Sequence, residues 1–400
     1  MARPRLRPGN SGVDTAELAG KADAGTVSQR RPIPPFTEAH ERLRAEIREF
    51  VVTRLLPFAD EWETAGWFDN RAFKWLAQAG YLGLKFPREY GGGGDTVAAA
   101  VLVEEMARCG SGGVAAGLGA HAGIALPPIA SFGSEQQKER YLVPGLRGEK
   151  IASLAITEPG AGSDVASITT RASKVSGGYV VNGSKMFITG GVRADVLVTA
   201  VRTKPDGGHQ GLSFLLIERG EGVSSTPLRK LGWHASDTAE IAFDDVFVPE
   251  ENLLGPEHGG FYLIMANFQW ERLLMALGAV GAMQVCFERT LAFVATHQHV
   301  RGQAVRHRLA EISVTLETCR AVTYSALRRF VAGEDAVAEV TIAKLATQRA
   351  AFDAIDACLQ IHGLDAPPEL ERAVRDARLG PIGGGTDEIM KEILARTIGL

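Results

Sequence analysis

Cysteine is scarce in this 400-residue sequence and shows no order. The four residues, Cys109, Cys286, Cys319 and Cys358, are scattered and form no CxxC pair. That argues against a disulfide framework and against a zinc site of the usual spacing, and no metal is expected. The expectation is four buried thiols in a reducing cytoplasm. Charge of one sign is also lacking. Lys and Arg number 43 against 47 Asp and Glu, a formal net charge of -4, so there is no basic footprint for nucleic acid. No apolar run reaches the ~20 residues of a bilayer crossing. The closest, Gly113–Ala130, is interrupted by Gly, His and Pro, and no membrane partner is expected. Apolar residues are nevertheless plentiful: 45% of the chain is hydrophobic, enough for a large core divided between two or three domains.

Residues 1–35 are polar and rich in Arg, Pro, Gly and Ser. They lack the apolar stretch of a secretory signal, and Asp14, Glu17 and Asp23 argue against a mitochondrial transit peptide. They read as a disordered extension. Residues 36–150 read as a helical domain. Thr37 can cap a helix with Leu43, Ile47, Phe50 and Val51 on one face. A second helix over Phe73–Ala79 breaks at Gly80, a Gly-rich loop follows at 85–94, and a further helix carries Val101–Ala107. Ser134-Glu-Gln-Gln137 forms a capping box that starts another helix.

Residues 151–259 change character. Gly178–Thr189 reads as two β runs joined by Asn182-Gly183, the dipeptide of a tight hairpin. Val196–Val201, Leu212–Ile217 and Ile241–Val248 continue the strand pattern towards a small barrel or sandwich. Residues 260–400 are helical again. Trp270–Phe287 is apolar on most sides, the mark of a buried helix. Leu309–Leu327 and Val337–Ile361 continue the pattern, and a last helix starts near Thr386, after Gly383-Gly384-Gly385.

Thr157-Glu-Pro-Gly-Ala-Gly-Ser163-Asp164 follows an apolar run. Taken alone, such a Gly/Pro loop does no more than turn the chain. It is, however, one of ten strings in a fixed order. They are Phe86–Gly92, Thr157–Asp164, Asn182–Thr189, Ser236-Asp-Thr238, Asp245–Pro249, Asn252–Gly255, Trp270–Ala276, Gln360–Gly363, Arg375–Arg378 and Pro381–Lys391. In order and spacing the chain resembles the acyl-CoA dehydrogenase family across nearly all of 36–400. The resemblance implies an α+β multidomain fold: an N-terminal helical domain, a central β domain and a C-terminal four-helix bundle. It also implies FAD as cofactor, a homotetramer or dimer whose neighbours help hold it, an acyl-CoA or acyl-carrier-protein substrate, and an electron-transferring flavoprotein as acceptor.

Oxidation of an acyl thioester across its α and β carbons needs a base for the α proton, a hydride acceptor for the β hydrogen and donors for the thioester oxygen. Many members of the family carry the base as a Glu two residues before a Thr in the C-terminal loop. Here that position is Gly384, which cannot take a proton. The resemblance is instead to the long-chain and isovaleryl subgroup, with Glu271 as the matching base. A carboxylate on an apolar helix should have its pKa raised towards working pH; the plainer reading is a surface Glu paired with an Arg. The backbone N–H of Gly384 matches the oxyanion donor, which needs no side chain. Thr157, Ser163, Phe187, Thr189, Gln360, Gly363 and Thr386 match flavin contacts, with Ser163 also reaching substrate and Gln360 coming from a neighbouring subunit. Alone, such residues usually pack, pair or stay solvated.

Three departures fall on the intersubunit half of the implied FAD site. His297 and Val300 stand where the family has Arg and Phe, with Arg301 or Arg306 as substitutes for the lost cation. Leu364 and Asp365 follow His362-Gly363 where a second Gly is usual, and the stretch 366–369 is shortened. A minor change is His234 at a position that usually holds Arg. Weaker FAD retention or altered assembly is the consequence expected. Two other readings compete with the dehydrogenase: a flavin monooxygenase on the same fold, which Glu271 opposes, and a non-catalytic homologue that has lost FAD.

Overall fold

The computed structural model describes residues 32–400; the reading of residues 1–35 as an extension lies outside these, apart from its last four. The first layer is helical: α1 (Glu38–Arg54), α2 (Ala59–Ala65), α3 (Arg71–Gln78), α4 (Thr96–Met106), α5 (Gly112–Phe132) and α6 (residues 135–146). The caps are those the sequence predicts. Thr37 accepts from the backbone of His40, and Ser134 and Gln137 close a reciprocal box. Asp95 caps α4 by accepting from Val97 and Ala98.

The Gly, His and Pro residues that interrupt the apolar run Gly113–Ala130 do not break the helix. The run lies within α5, a single helical stretch with a π-helical segment at Ala120–Ala125. Pro127 and Pro128 follow after Leu126 and have no N–H to donate, so the helical register opens there rather than ending. By length and composition alone, α5 and the later helix Gly260–Thr296 would suffice to cross a bilayer, but half or more of each such stretch is buried inside the molecule. Buried His121 joins the helical layer to the sheet, its Nε2 against the Gly145 carbonyl at 3.0 Å and its Nδ1 accepting from Ala152 N at 3.0 Å. Burial lowers its pKa, and this bonding pattern suits the neutral ring.

The middle layer is an eight-stranded sheet: β1 (Ala152–Ala155), β2 (Arg171–Val175), β3 (Gly178–Ile188), β4 (Val196–Arg202), β5 (Leu212–Glu218), β6 (Val223–Pro227), β7 (Ala239–Pro249) and β8 (Leu253–Leu254). Strand order is β6-β7-β3-β2-β4-β5-β8, with β1 parallel to β4. Asn182-Gly183 does not form the predicted hairpin. Both residues lie inside β3, which pairs β7 along its whole length and shifts register between Val181 and Gly183. Asn182 is held in the sheet by two side-chain bonds to Asp245, at 2.8 and 3.1 Å. Gly183 has φ +144°, and a Cβ there would lie 2.7 Å from Thr170. The glycine marks a bulge with close approach; the hairpin turn between β2 and β3 is at Ser176-Gly177.

The third layer is the C-terminal bundle of α7 (Gly260–Thr296), α8 (Gln303–Val331), α9 (Val337–His362), α10 (Pro368–Ala377) and α11 (Asp387–Thr397). At ~1.5 Å per residue α7 is roughly 55 Å long. It joins three cores. Leu263 and Ile264 pack against one face of the sheet, Trp270 to Leu277 against the N-terminal helices, and Ala279 to Cys286 within the bundle. The middle segment is where chemistry-bearing side chains collect.

Candidate active site

Trp270 fixes the rotation of α7 at this middle segment. Its indole is buried, stacked on Phe330 at 5.7 Å between centroids, with the Lys85 ammonium 4.3 Å above the ring. Successive helical residues point about 100° apart, so Glu271 is turned away from that packed face. Its side chain is half-buried and makes no hydrogen bond or ion pair among the described residues. Burial pushes its pKa up to about 7, against the charges of Arg272 and Lys344, which pull it down. The surface Glu–Arg pair considered from sequence is not what the structure shows.

Opposite Glu271 lies the glycine loop. Gly384 has φ +62°, and a Cβ there would sit 3.9 Å from Glu271 Oε1 and 3.2 Å from Met275 Cγ, one helical turn further on. Gly385 follows at φ +90°. Two consecutive left-handed residues are a conformation that side chains disfavour. The loop is closed by Gly383 N–H donating to Leu379 O at 3.0 Å and Asp387 N–H to Pro381 O at 3.0 Å. The Gly384 N–H donates to no carbonyl among the described residues. Thr386 caps α11, accepting from Ile389 N at 3.3 Å, so its hydroxyl serves the helix start. The structure thus brings together a partner-free carboxylate and a free backbone donor.

On the sheet, Thr157 and Phe187 are tied through the Met186 N–H, which donates to Thr157 O at 2.8 Å. Phe187 has φ +60° and is 68% exposed. A left-handed aromatic standing out of a strand is the kind of strain found at ligand sites. The loop beside it is built on a buried ion pair. Glu158 accepts from Lys185 Nζ at 2.8 Å, from Thr169 N at 2.7 Å and from Thr170 N at 2.9 Å. Burial opposes the charge on Glu158, but Lys185 and the hydrogen bonds hold its pKa at about 2. Burial dominates on the deeper Lys185 and lowers it to about 8. The loop tip is left open: neither Gly160 nor Gly162 has a heavy atom within 4 Å of a built Cβ. Ser163 lies exposed on this tip, and Thr189, half-buried, directly follows β3. An exposed aromatic beside an open glycine loop fits a flat aromatic group such as a flavin ring.

Gln360 and Gly363 are elsewhere. Gln360 lies in the last turn of α9, 16 residues beyond Lys344 and so about 24 Å along the helix, and Gly363 directly follows its end. Gln360 is exposed and bonds Asp356 at 2.6 Å. Gly363 has φ +58° with open space around it, and Leu364 is fully exposed. His297 stacks on Phe293 at 4.1 Å, and His362 stacks on Phe293 at the same distance. Arg301 and Arg306, the substitutes for the missing cation, are bonded within their own chain. Arg301 donates to the Val294 and Ala295 carbonyls at the end of α7, and Arg306 to the Arg301 carbonyl. Both serve the chain's own backbone. His234 likewise rests against the Lys230 carbonyl.

Sequence reasoning missed Lys344 and Gln348, which line the glycine loop from α9. A lone cation in the apolar run Val340–Ala346 was the available signal. It also missed the Glu158–Lys185 pair, which no spacing rule links.

Three domain families match in succession: "Acyl-CoA dehydrogenase, N-terminal domain" over residues 37–149, "middle domain" over 153–246 and "C-terminal domain" over 258–399. The long-chain specific acyl-CoA dehydrogenase of Sus scrofa is 36% identical over 380 residues, 91% of this chain and 87% of that one. A probable acyl-CoA dehydrogenase structure from Mycobacterium abscessus is 40% identical, with a TM-score of 0.87 over 91% of this chain and 99% of that one. The FAD complex of PigA is 28% identical, with a TM-score of 0.87 over 92% and 100%. The chain therefore belongs to the acyl-CoA dehydrogenase family and is an oxidoreductase acting on CH–CH groups of acyl thioesters.

Proposed function

We propose that Glu271 is the base that removes the α proton of the bound acyl thioester, and that the Gly384 N–H receives the thioester oxygen as charge develops on it. The observation that carries this is their juxtaposition: a carboxylate without a partner among the described residues, poised near pH 7, 3.9 Å from where a Cβ of Gly384 would be. A base with pKa near working pH combines proton affinity with availability of the ionised form. The backbone donor is held in place by a closed loop, so it needs little reorganisation when charge builds up. Monooxygenase and non-catalytic readings give such a carboxylate no task.

FAD is the cofactor that fits, with Thr157, Ser163, Phe187 and Thr189 on the sheet and Thr386 at α11 as the residues to hold it. When bound, it supplies the two-electron acceptor for the β hydride. Gln360 and Gly363, too far along α9 to reach the same site, would hold the FAD of a neighbouring copy in a homo-oligomer. Electrons would then pass to an electron-transferring flavoprotein. With His297 in place of a cation and Arg301 and Arg306 otherwise engaged, that half of the site holds phosphate weakly.

The test is to mix FAD-loaded protein anaerobically with a panel of CoA and acyl-carrier-protein thioesters and identify the products. Loss of flavin colour with formation of a 2-enoyl thioester supports the reading, and the carrier preferred is read from the rates. Hydroxylated product formed only with oxygen would overturn it in favour of the monooxygenase.

A further inference from the structure

Lys344 is fully buried, an expensive place for an ammonium group. Its Nζ donates to the Gly385 carbonyl at 2.6 Å, directly after the free Gly384 N–H. One turn along the same face of α9, Gln348 Nε2 donates to the Met275 carbonyl at 2.7 Å. Gln348 also packs against Gly380, where a Cβ would clash with its amide oxygen. Residues four apart on a helix lie side by side. This pair therefore grips the loop at both ends and α7 at the turn after Glu271. Arg349, the next residue, ties down Asp387 at 2.6 Å at the start of α11.

We infer that Lys344 is a positioning residue for the dehydrogenation, fixing the glycine loop against Glu271 and setting the charge environment in which that carboxylate works. The inference rests on Glu271 being the base. The charged groups bearing on Lys344 are Glu271 and Arg272 from α7 and Asp387 and Glu388 from α11; those bearing on Glu271 are Arg272 and Lys344. Burial lowers the Lys344 pKa to about 8, so it is charged where Glu271 ionises and stabilises the carboxylate. A neutral side chain at 344 removes that help, and Glu271 then ionises at higher pH. A residue that only anchored the loop would change rates without moving this ionisation.

The experiment measures the second-order rate constant for anaerobic flavin reduction by thioester against pH, for FAD-loaded wild-type, Lys344→Met, Lys344→Arg and Glu271→Gln proteins. Lys344→Met should lower the plateau at least tenfold and move the acid limb to higher pH. Lys344→Arg keeps the charge and so should keep the limb in place even where its rate falls; it also serves if the Met variant does not fold. A lowered plateau with an unmoved limb in Lys344→Met, or an upward shift of the limb in Lys344→Arg, overturns the inference. Glu271→Gln separates the layers. If it retains activity, the base assignment beneath the inference fails. If it is inactive while Lys344→Met behaves as wild type, only the role of Lys344 fails.

Discussion

Replacing Glu271 by glutamine should make the protein inactive and, at alkaline pH, more stable. Burial moves the carboxyl from its ordinary 4.5 to about 7. The folded state then binds more protons than the unfolded state between these values, so stability falls as pH rises through that window. Below pH 4.5 the residue is protonated in both states and costs nothing by this route. Above about 7 the full penalty is in force, about 3 kcal/mol from the displacement of the pKa. Glutamine has the same shape and no charge to bury. Urea unfolding of wild type and Glu271→Gln between pH 4.5 and 8 isolates this contribution, because the other titrating groups are common to both. The stability difference should grow with pH by about 3 kcal/mol in favour of the variant and level off above pH 7. A flat difference, or one favouring wild type at pH 8, would show that the carboxylate is solvated or paired and refute the argument for its poised pKa.

Three further outcomes follow from the site. Gly384→Ala places a Cβ 3.2 Å from Met275 at a left-handed position; kcat should fall by about tenfold to a hundredfold, with FAD retained at the wild-type ratio by absorbance. Lys185→Met leaves Glu158 buried without its ion partner, which should cost about 3–5 kcal/mol by chemical unfolding. The intact pair is charged from about 2 to about 8, so the part of its stability due to Glu158 is present above the ordinary carboxyl value and lost as pH falls towards about 2. His297→Arg restores a permanent cation, and equilibrium dialysis should show FAD held about tenfold more tightly.

The layers and most long elements were legible because their signals are local. Caps at Thr37 and Ser134, the continuous apolar runs of β4 and β5 and the alternation in β7 need no tertiary context. Glu271 was legible for a different reason: Gly384 removed the other position for a base. Asn182-Gly183 misled because a hairpin and a bulge call for the same dipeptide. Pairing with β7 and the approach of Thr170 decide between them, and both come from distant sequence. The π-helical segment escaped because no local pattern marks it, whereas packing of α5 against two cores holds one helix through its glycines and prolines. Strands β1, β2 and β6 are only four or five residues long and lack the length to show a period. Lys344 lay hidden because its partner is a backbone carbonyl 41 residues away, which no side-chain pattern records.

The most direct test of the central claim is a stopped-flow comparison of FAD-loaded wild type and Glu271→Gln mixed anaerobically with a saturating acyl thioester that the wild type oxidises. The account predicts rapid loss of the visible flavin absorbance in the wild type. In the variant the flavin should stay oxidised, with spectral perturbation showing that thioester is bound. Flavin reduction in the variant at the wild-type rate would mean that some other group takes the α proton, and the account would be wrong.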